Sequence, residues 1–163
     1  MEENTVNRTL VAYFSAGGRT AKVAARLAEG VGAELYEIRP CEKYSKADLN
    51  WMNRRSRSSV EMNDKSFRPP VVTGDLELSG YDRILLGFPI WWYVAPTLIN
   101  SFLEAYDLNG KRIILFATSG SSGFGSTAAG LRPSAPGAEL EESMVLSGIL
   151  TDKKIRELIE RCK

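Results

Sequence analysis

Short apolar runs alternate along this chain with segments whose apolar residues recur every three or four positions. Val11-Ala12-Tyr13-Phe14, Leu35-Tyr36-Glu37-Ile38, Ile84-Leu85-Leu86-Gly87-Phe88, Ile113-Ile114-Leu115-Phe116-Ala117 and a last run near Met144 to Leu146 have strand length. The continuous ones suit parallel strands buried on both faces. After the first run, Val23, Leu27 and Val31 join Ala24 and Ala28 on one helical face, with Lys22, Arg26 and Glu29 elsewhere. Gly30 and Gly32 mark the end of that helix, and Pro40 closes the second strand. Asp48 to about Met62 reads as a second helix, and Pro96 sits at or near the first turn of another. Thr151 to Arg161 reads as a terminal helix with Ile155, Leu158 and Ile159 facing inward. The alternation implies an α/β chain with a parallel sheet covered on both faces and right-handed crossovers. In such sheets a ligand binds at the carboxyl edge, where the strand order reverses. No internal repeat or second domain is visible, so residues 1–163 read as one domain, with 1–8 as a flexible N-terminal extension.

Two strand-to-helix loops carry the chemistry. The first strand runs into Ser15, Ala16, Gly17, Gly18, Arg19 and Thr20, and a helix follows at once. A helix N-terminus offers unpaired N–H groups and partial positive charge, which suit a phosphate, and Ser15 and Thr20 add hydroxyl donors. The spacing is not that of a nucleotide triphosphatase loop, since the terminal Gly-Lys-Ser/Thr is missing. The alternative is a plain glycine turn. The third strand opens into Pro89, Ile90, Trp91, Trp92 and Tyr93, three consecutive aromatics in a loop. One of the tryptophans is expected to be core; together the rings make a wall for a flat conjugated ligand.

The pairing of Tyr13-Phe14-Ser15-Ala16-Gly17-Gly18-Arg19-Thr20 with Gly87-Phe88-Pro89-Ile90-Trp91-Trp92 resembles the flavodoxin-like family, particularly its short bacterial members, from about residue 9 to the C-terminus. The resemblance implies a three-layer α/β/α sandwich, a five-stranded parallel sheet in the order 2-1-3-4-5, and non-covalent flavin mononucleotide (FMN) held in three loops. It places the phosphate on Ser15, Gly18 and Thr20 within the loop 15–20. It lays the isoalloxazine ring along Pro89 to Tyr93. The third loop follows the fourth strand, where Ser119, Gly120, Ser121 and Gly123 would offer backbone N–H groups to the polar edge of the ring, and Phe124 an apolar contact. The implied work is electron transfer between redox proteins; the alternative is an FMN-dependent NAD(P)H:quinone-type oxidoreductase acting on a small molecule.

The chain departs from the family in two places. The family's phosphate loop usually reads Ser-x-Thr-Gly-Asn-Thr; here Gly17 stands for the threonine and Arg19 for the asparagine. Arg19 either compensates as a charge-assisted donor or points to solvent. Second, no glycine lies between Phe88 and Pro96, where family members that stabilise a one-electron-reduced flavin often carry one. Gly123-Phe124-Gly125-Ser126-Thr127-Ala128 fits a loose dinucleotide pattern, but late in the chain and without its usual first-strand context. A phospho-acceptor receiver with this strand order would need acidic residues where Ser15 and Pro89 stand.

Composition narrows the rest. With no histidine, neither a Ser-His nor a Cys-His pair can form, and chemistry must come from a cofactor. Cys41 and Cys162 lack metal-like spacing, which points to a reduced, cytoplasmic setting. No basic or apolar leader and no spanning apolar run is visible, and Asn7-Arg8-Thr9 carries no weight as a glycosylation acceptor without one. Lys and Arg number 21 against 20 Asp and Glu, so long-range steering of charged partners is weak, which favours an enzyme more than a strongly acidic carrier would. Neither nucleic acid nor a membrane is expected as partner, and a monomer or weak dimer is. Arg54-Arg55-Ser56-Arg57 and the irregular stretch 63–74 are either a solvated face with its connecting loop or a docking surface near the flavin; Trp51 belongs to core or to that surface.

Overall fold

A computed structural model describes residues 8–163. Residues 1–7 lie outside the described residues, with Asn7 and most of the expected extension. Arg8 itself is tied down: its carbonyl accepts from the N–H groups of Asp82 and Arg83, and its guanidinium pairs with Glu34.

Five parallel strands, β1 (Thr9–Tyr13), β2 (Glu34–Glu37), β3 (Arg83–Pro89), β4 (Arg112–Ser119) and β5 (Glu139–Ser147), form one sheet in the order 2-1-3-4-5. Helices α1 (Arg19–Val31), α2 (Arg57–Met62), α3 (Thr97–Glu104), α4 (Thr127–Leu131) and α5 (Asp152–Arg161) connect and flank them. Because successive strand residues face opposite sides, β1, β3, β4 and β5 each feed two cores. Val11, Leu85, Ile114 and Leu146 meet Val23 and Leu27 of α1 and Ile155 and Leu158 of α5. Leu10, Ala12, Ile84, Leu86 and Leu115 meet Leu98, Ile99 and Phe102 of α3 and Leu131 of α4. Cys41 is exposed and Cys162 buried, and both are free thiols. Among the described residues no helix is long and apolar enough to cross a membrane.

Two expected elements need correction. The helix from Asp48 to Met62 is a short 3₁₀ turn (Ala47–Leu49), a run of turns, and only then α2. Asn50 and Asn53 accept from the N–H groups of Met52 and Arg55, and Ser56 caps α2 by accepting from Ser59 N. Such short polar side chains offer the backbone an alternative to the helix ladder. The last strand is three times the expected length, nine residues from Glu139. Its polar start pairs at a sheet edge, where Glu141 bridges Arg112, and its register slips at Ser143 between Leu115↔Glu142 and Phe116↔Met144.

Candidate functional site

The carboxyl ends of β1, β3 and β4 bring the expected loops together. At the end of β1 the Ser15 hydroxyl accepts from Gly18 N at 3.1 Å and closes a tight turn. Gly18 caps α1 at φ 95°, a left-handed backbone that glycine adopts without penalty. No side chain caps this end and no acidic residue occupies its first turn. Among the described residues no acceptor meets the N–H groups of Ala16, Gly17, Arg19, Thr20 or Ala21. This is a concentration of donors with no negative charge to answer them.

Arg19 is exposed but anchored. Its guanidinium donates to the carbonyls of Ser119, at 3.4 Å, and Gly148, lashing the first loop to the ends of β4 and β5. Thr20 is buried, and its hydroxyl shares a 2.8 Å hydrogen bond with that of Thr118. Both residues therefore stitch the first and third loops together from the α1 side.

Pro89 ends β3, and Ile90 N donates to Thr118 O at 2.9 Å, aligning the second loop with the third. Trp91 and Val94 then exchange N–H to carbonyl bonds of 2.8 and 3.1 Å across a two-residue turn. Its central residues, Trp92 and Tyr93, have φ 49° and 69°. Positive φ at both centres is the geometry of the primed hairpin turn, which normally recruits Asn or Gly. Here two bulky aromatics accept that strain. Gly125 (φ 57°) lies behind the turn, and a Cβ there would sit 2.5 Å from the Tyr93 carbonyl.

The three aromatics divide the work. Trp91 is half-buried and meets Phe14 and Tyr44 edge-on, with centroids 5.6 and 5.4 Å away. Trp92 and Tyr93 are exposed. A cavity of about 410 Å³ opens between Ile90, all three aromatics, Ser122 of the third loop, and Leu49, Trp51 and Ser58. Trp51 is 70% exposed, so it is part of this surface and not of the core. A second cavity of about 360 Å³ joins Ser15 and Ala16 to Phe14, Tyr44, Arg39 and Lys43. Trp91, resting on Phe14 and Tyr44, links the two linings. In the third loop the Ser119 hydroxyl donates to Ser122 O at 2.6 Å, while Gly120, Ser121 and Gly123 are exposed and line neither cavity.

Sequence reasoning missed the support beneath Trp91. Glu61, buried in α2, accepts from the Tyr44 hydroxyl and from Arg57 Nε at 2.9 Å, and Arg57 lies 3.9 Å over the Tyr44 ring. Burial, and then the bond to Glu61, push the Tyr44 phenol far above its ordinary value. Arg57 therefore faces inward, whereas Arg54 and Arg55 are exposed. The i, i+4 spacing of Arg57 and Glu61 was the available signal.

A family model described as flavodoxin matches residues 8–162. Among solved structures, a protein of Bacteroides uniformis provisionally assigned as a flavoprotein is 44% identical with a TM-score of 0.87, the match covering 94% of this chain and 98% of that one. A Bacteroides eggerthii protein of the same provisional assignment is 44% identical with a TM-score of 0.84, covering 94% and 96%. A flavoprotein of Lactobacillus acidophilus in complex with FMN shares the fold at 22% identity, TM-score 0.67, covering 94% and 99%. No curated protein matches the chain.

Proposed function

We propose that this chain, which belongs to the flavodoxin family, binds one FMN at the carboxyl edge of its sheet and passes electrons between redox proteins. The observation that carries the reading is the meeting of an uncapped, donor-only loop at α1 with an aromatic-walled cavity at the end of β3. The first suits a phosphate and the second a flat ring.

The donor set fits the group. The N–H groups of Ala16, Gly17, Arg19, Thr20 and Ala21 would hold the phosphate, and the Ser15 hydroxyl, which accepts from Gly18, keeps its own proton to donate. Gly17 has open space where a side chain would stand, so the threonine usual in the family is not excluded by packing. Arg19, anchored on two carbonyls, still has N–H groups to spare and lends positive charge to the loop. Trp91, Trp92 and Trp51 would flank the ring, and the third loop would meet its polar edge. Bound FMN supplies the one- or two-electron chemistry that no side chain here can.

A second reading, an NAD(P)H:quinone-type reductase, has its own support. Beyond Trp51 and Trp92 a groove of about 590 Å³ continues past Met52, Arg54, Ser59 and Asn63, leaving a small molecule room beside the ring cavity. Near-neutral charge also fits an enzyme better than a steered carrier.

Titrating flavin-stripped protein with FMN and with riboflavin, by flavin fluorescence, tests the shared premise. Stoichiometric quenching by FMN with much weaker riboflavin binding is expected; no quenching by either would refute both readings. Rapid reduction by a flavodoxin reductase, without NAD(P)H-driven quinone turnover by the protein alone, then separates carrier from enzyme.

A further inference from the structure

Four of the eight large apolar side chains exposed among the described residues meet at one place, the mouth of the ring cavity. Trp51 and Met52 are 70% and 75% exposed, and Trp92 and Tyr93 are 37% and 73% exposed. Trp51, Trp92 and Tyr93 line the ring cavity, and Trp51, Met52 and Trp92 line the groove that continues from it. Exposed apolar side chains gathered in this way mark an interaction surface. Each pair is held outward by a turn of its own. Asn50 Oδ1 accepts from Met52 N at 3.1 Å and Asn53 Oδ1 from Arg55 N at 2.9 Å, while the Trp91–Val94 bonds fix Trp92 and Tyr93 at positive φ. Side chains presented by ordered backbone lose less freedom when a partner covers them.

The charge around these four is of one sign. Behind the Trp92–Tyr93 turn a third hollow, of about 350 Å³, reaches Met62 and Lys65. Arg54 in the groove and Lys65 in this hollow are the only charged residues lining any of the three, and no carboxylate does. Neither cation has an ion-pair partner among the described residues, and Arg55, exposed next to Arg54, has none either. The carboxylates between residues 48 and 65 are all committed elsewhere. Asp48 accepts from Ser45 N at 2.9 Å and faces Arg57, and Glu61 is buried against Tyr44 and Arg57. Asp64 accepts from the N–H and the hydroxyl of Ser66 at 3.0 and 2.6 Å. Arg57 thus answers two of the three acids, and the cations on the face stay unanswered.

From this we infer that the face is a docking surface for an acidic redox protein, one whose electron-transfer edge sets carboxylates around an apolar centre. The inference rests on the carrier reading above and names the partner's charge. Trp51, Met52, Trp92 and Tyr93 supply the apolar centre, and Arg54, Arg55 and Lys65 the rim that meets the partner's carboxylates. Aromatic residues, Met and Arg are the types that protein interfaces enrich. With 21 Lys and Arg against 20 Asp and Glu, the chain as a whole attracts neither sign strongly, so selection of the partner falls to this local rim. A basic partner meets the same cations and is turned away.

Calorimetric titration of flavin-stripped and of FMN-loaded protein with plant-type ferredoxin, an acidic redox protein, and with cytochrome c, a basic one, tests this. Ferredoxin is expected to bind about tenfold or more tightly than cytochrome c at about 20 mM salt, and to lose most of that preference at about 300 mM. Arg54→Glu and Lys65→Glu, both at exposed positions, are each expected to weaken ferredoxin about fivefold or more and to strengthen cytochrome c. Arg156→Glu, exposed on α5 and lining none of the three hollows, makes the same change in net charge and is expected to shift either affinity by less than about twofold. Met52→Ser is expected to weaken ferredoxin about threefold while leaving its salt dependence unchanged. Equal affinity for the two proteins, no binding of ferredoxin, or as large an effect from Arg156→Glu as from Arg54→Glu would overturn the inference. Self-association in sedimentation that Arg54→Glu abolishes would overturn it too, by giving the face to a second copy. The flavin reading fails separately: protein that takes FMN without preferring ferredoxin refutes this inference alone, and protein that binds ferredoxin on this face but takes no FMN refutes the flavin reading and leaves the docking face standing.

Discussion

The Trp91 indole meets the Tyr44 ring edge-on, centroids 5.4 Å apart at 83°, and Tyr44 is in turn held by Glu61 and Arg57 of α2. The loop that ends β3 is thus braced by a helix belonging to the β2–β3 connection. Trp91 is therefore structural, whereas Trp92 is exposed and packs on neither ring. Trp91→Ala is expected to cost about 3 kcal/mol of unfolding free energy, and Trp92→Ala less than about 1 kcal/mol. Urea denaturation of the two variants checks this, and equal costs would contradict the division.

Tyr93 sits at φ 69° with its side chain 73% exposed. Left-handed backbone costs a bulky residue about 1–2 kcal/mol, and glycine is free of that cost but gives up about 0.5–1 kcal/mol in chain entropy. Little packing is lost on removing so exposed a ring. Tyr93→Gly should therefore leave the protein as stable as before or about 0.5–1 kcal/mol more so. If the same variant binds FMN more weakly, the strain is held for the ligand; a clear loss of stability would mean that the ring packs more than its exposure indicates.

How far the sequence spoke for itself depended on burial. β3 and β4 were legible because strands covered on both faces read as unbroken apolar runs. β5 was seen only at its apolar end, since Glu139, Glu141 and Glu142 lie on a sheet edge that solvent reaches. The loops 15–20 and 89–93 were legible because a glycine pair between an apolar run and a helical pattern, and three consecutive aromatics after another, mark themselves. Trp51 could not be placed, because its position depends on turns made by Asn50 and Asn53 and not on any periodicity. Arg19 was undecidable for another reason: its acceptors, Ser119 and Gly148, lie 100 and 129 residues away.

Arg19 joins three strand ends through two carbonyls, which a planar, multi-donor guanidinium can span and an ammonium cannot. Arg19→Ala is expected to lower stability by about 1 kcal/mol and to weaken FMN more than riboflavin, because both the tether and a positive charge near the phosphate loop are lost. Arg19→Lys should restore part of the FMN preference, through charge, but little of the stability. Comparing FMN with riboflavin affinity in each variant, alongside urea midpoints, separates the two roles. Full rescue of stability by lysine would show that the carbonyl contacts carry no weight.

The fold should weaken in alkali, and in two stages. Burial raises the Cys162 thiol above its ordinary value of 9.0, and burial with the Glu61 bond raises the Tyr44 phenol above its ordinary 10.0. In each case the folded state keeps a proton that the unfolded chain releases. The stability this contributes is therefore complete below the unfolded value and is lost as pH rises toward the folded one. Unfolding free energy should be flat from neutral pH to about 8.5, decline as Cys162 enters its window, and decline more steeply above about pH 10 as Tyr44 joins. Cys162→Ala should remove the first stage and leave the second. Tyr44→Phe should lessen the second, to which Tyr13 and Tyr36, also raised by burial, still contribute, and should lower stability at all pH by leaving Glu61 with Arg57 alone. Urea midpoints between pH 7 and 11 give the profile. A curve that rises with pH would show that neither proton is held by the fold, and one whose first stage survives Cys162→Ala would show that the thiol proton is not.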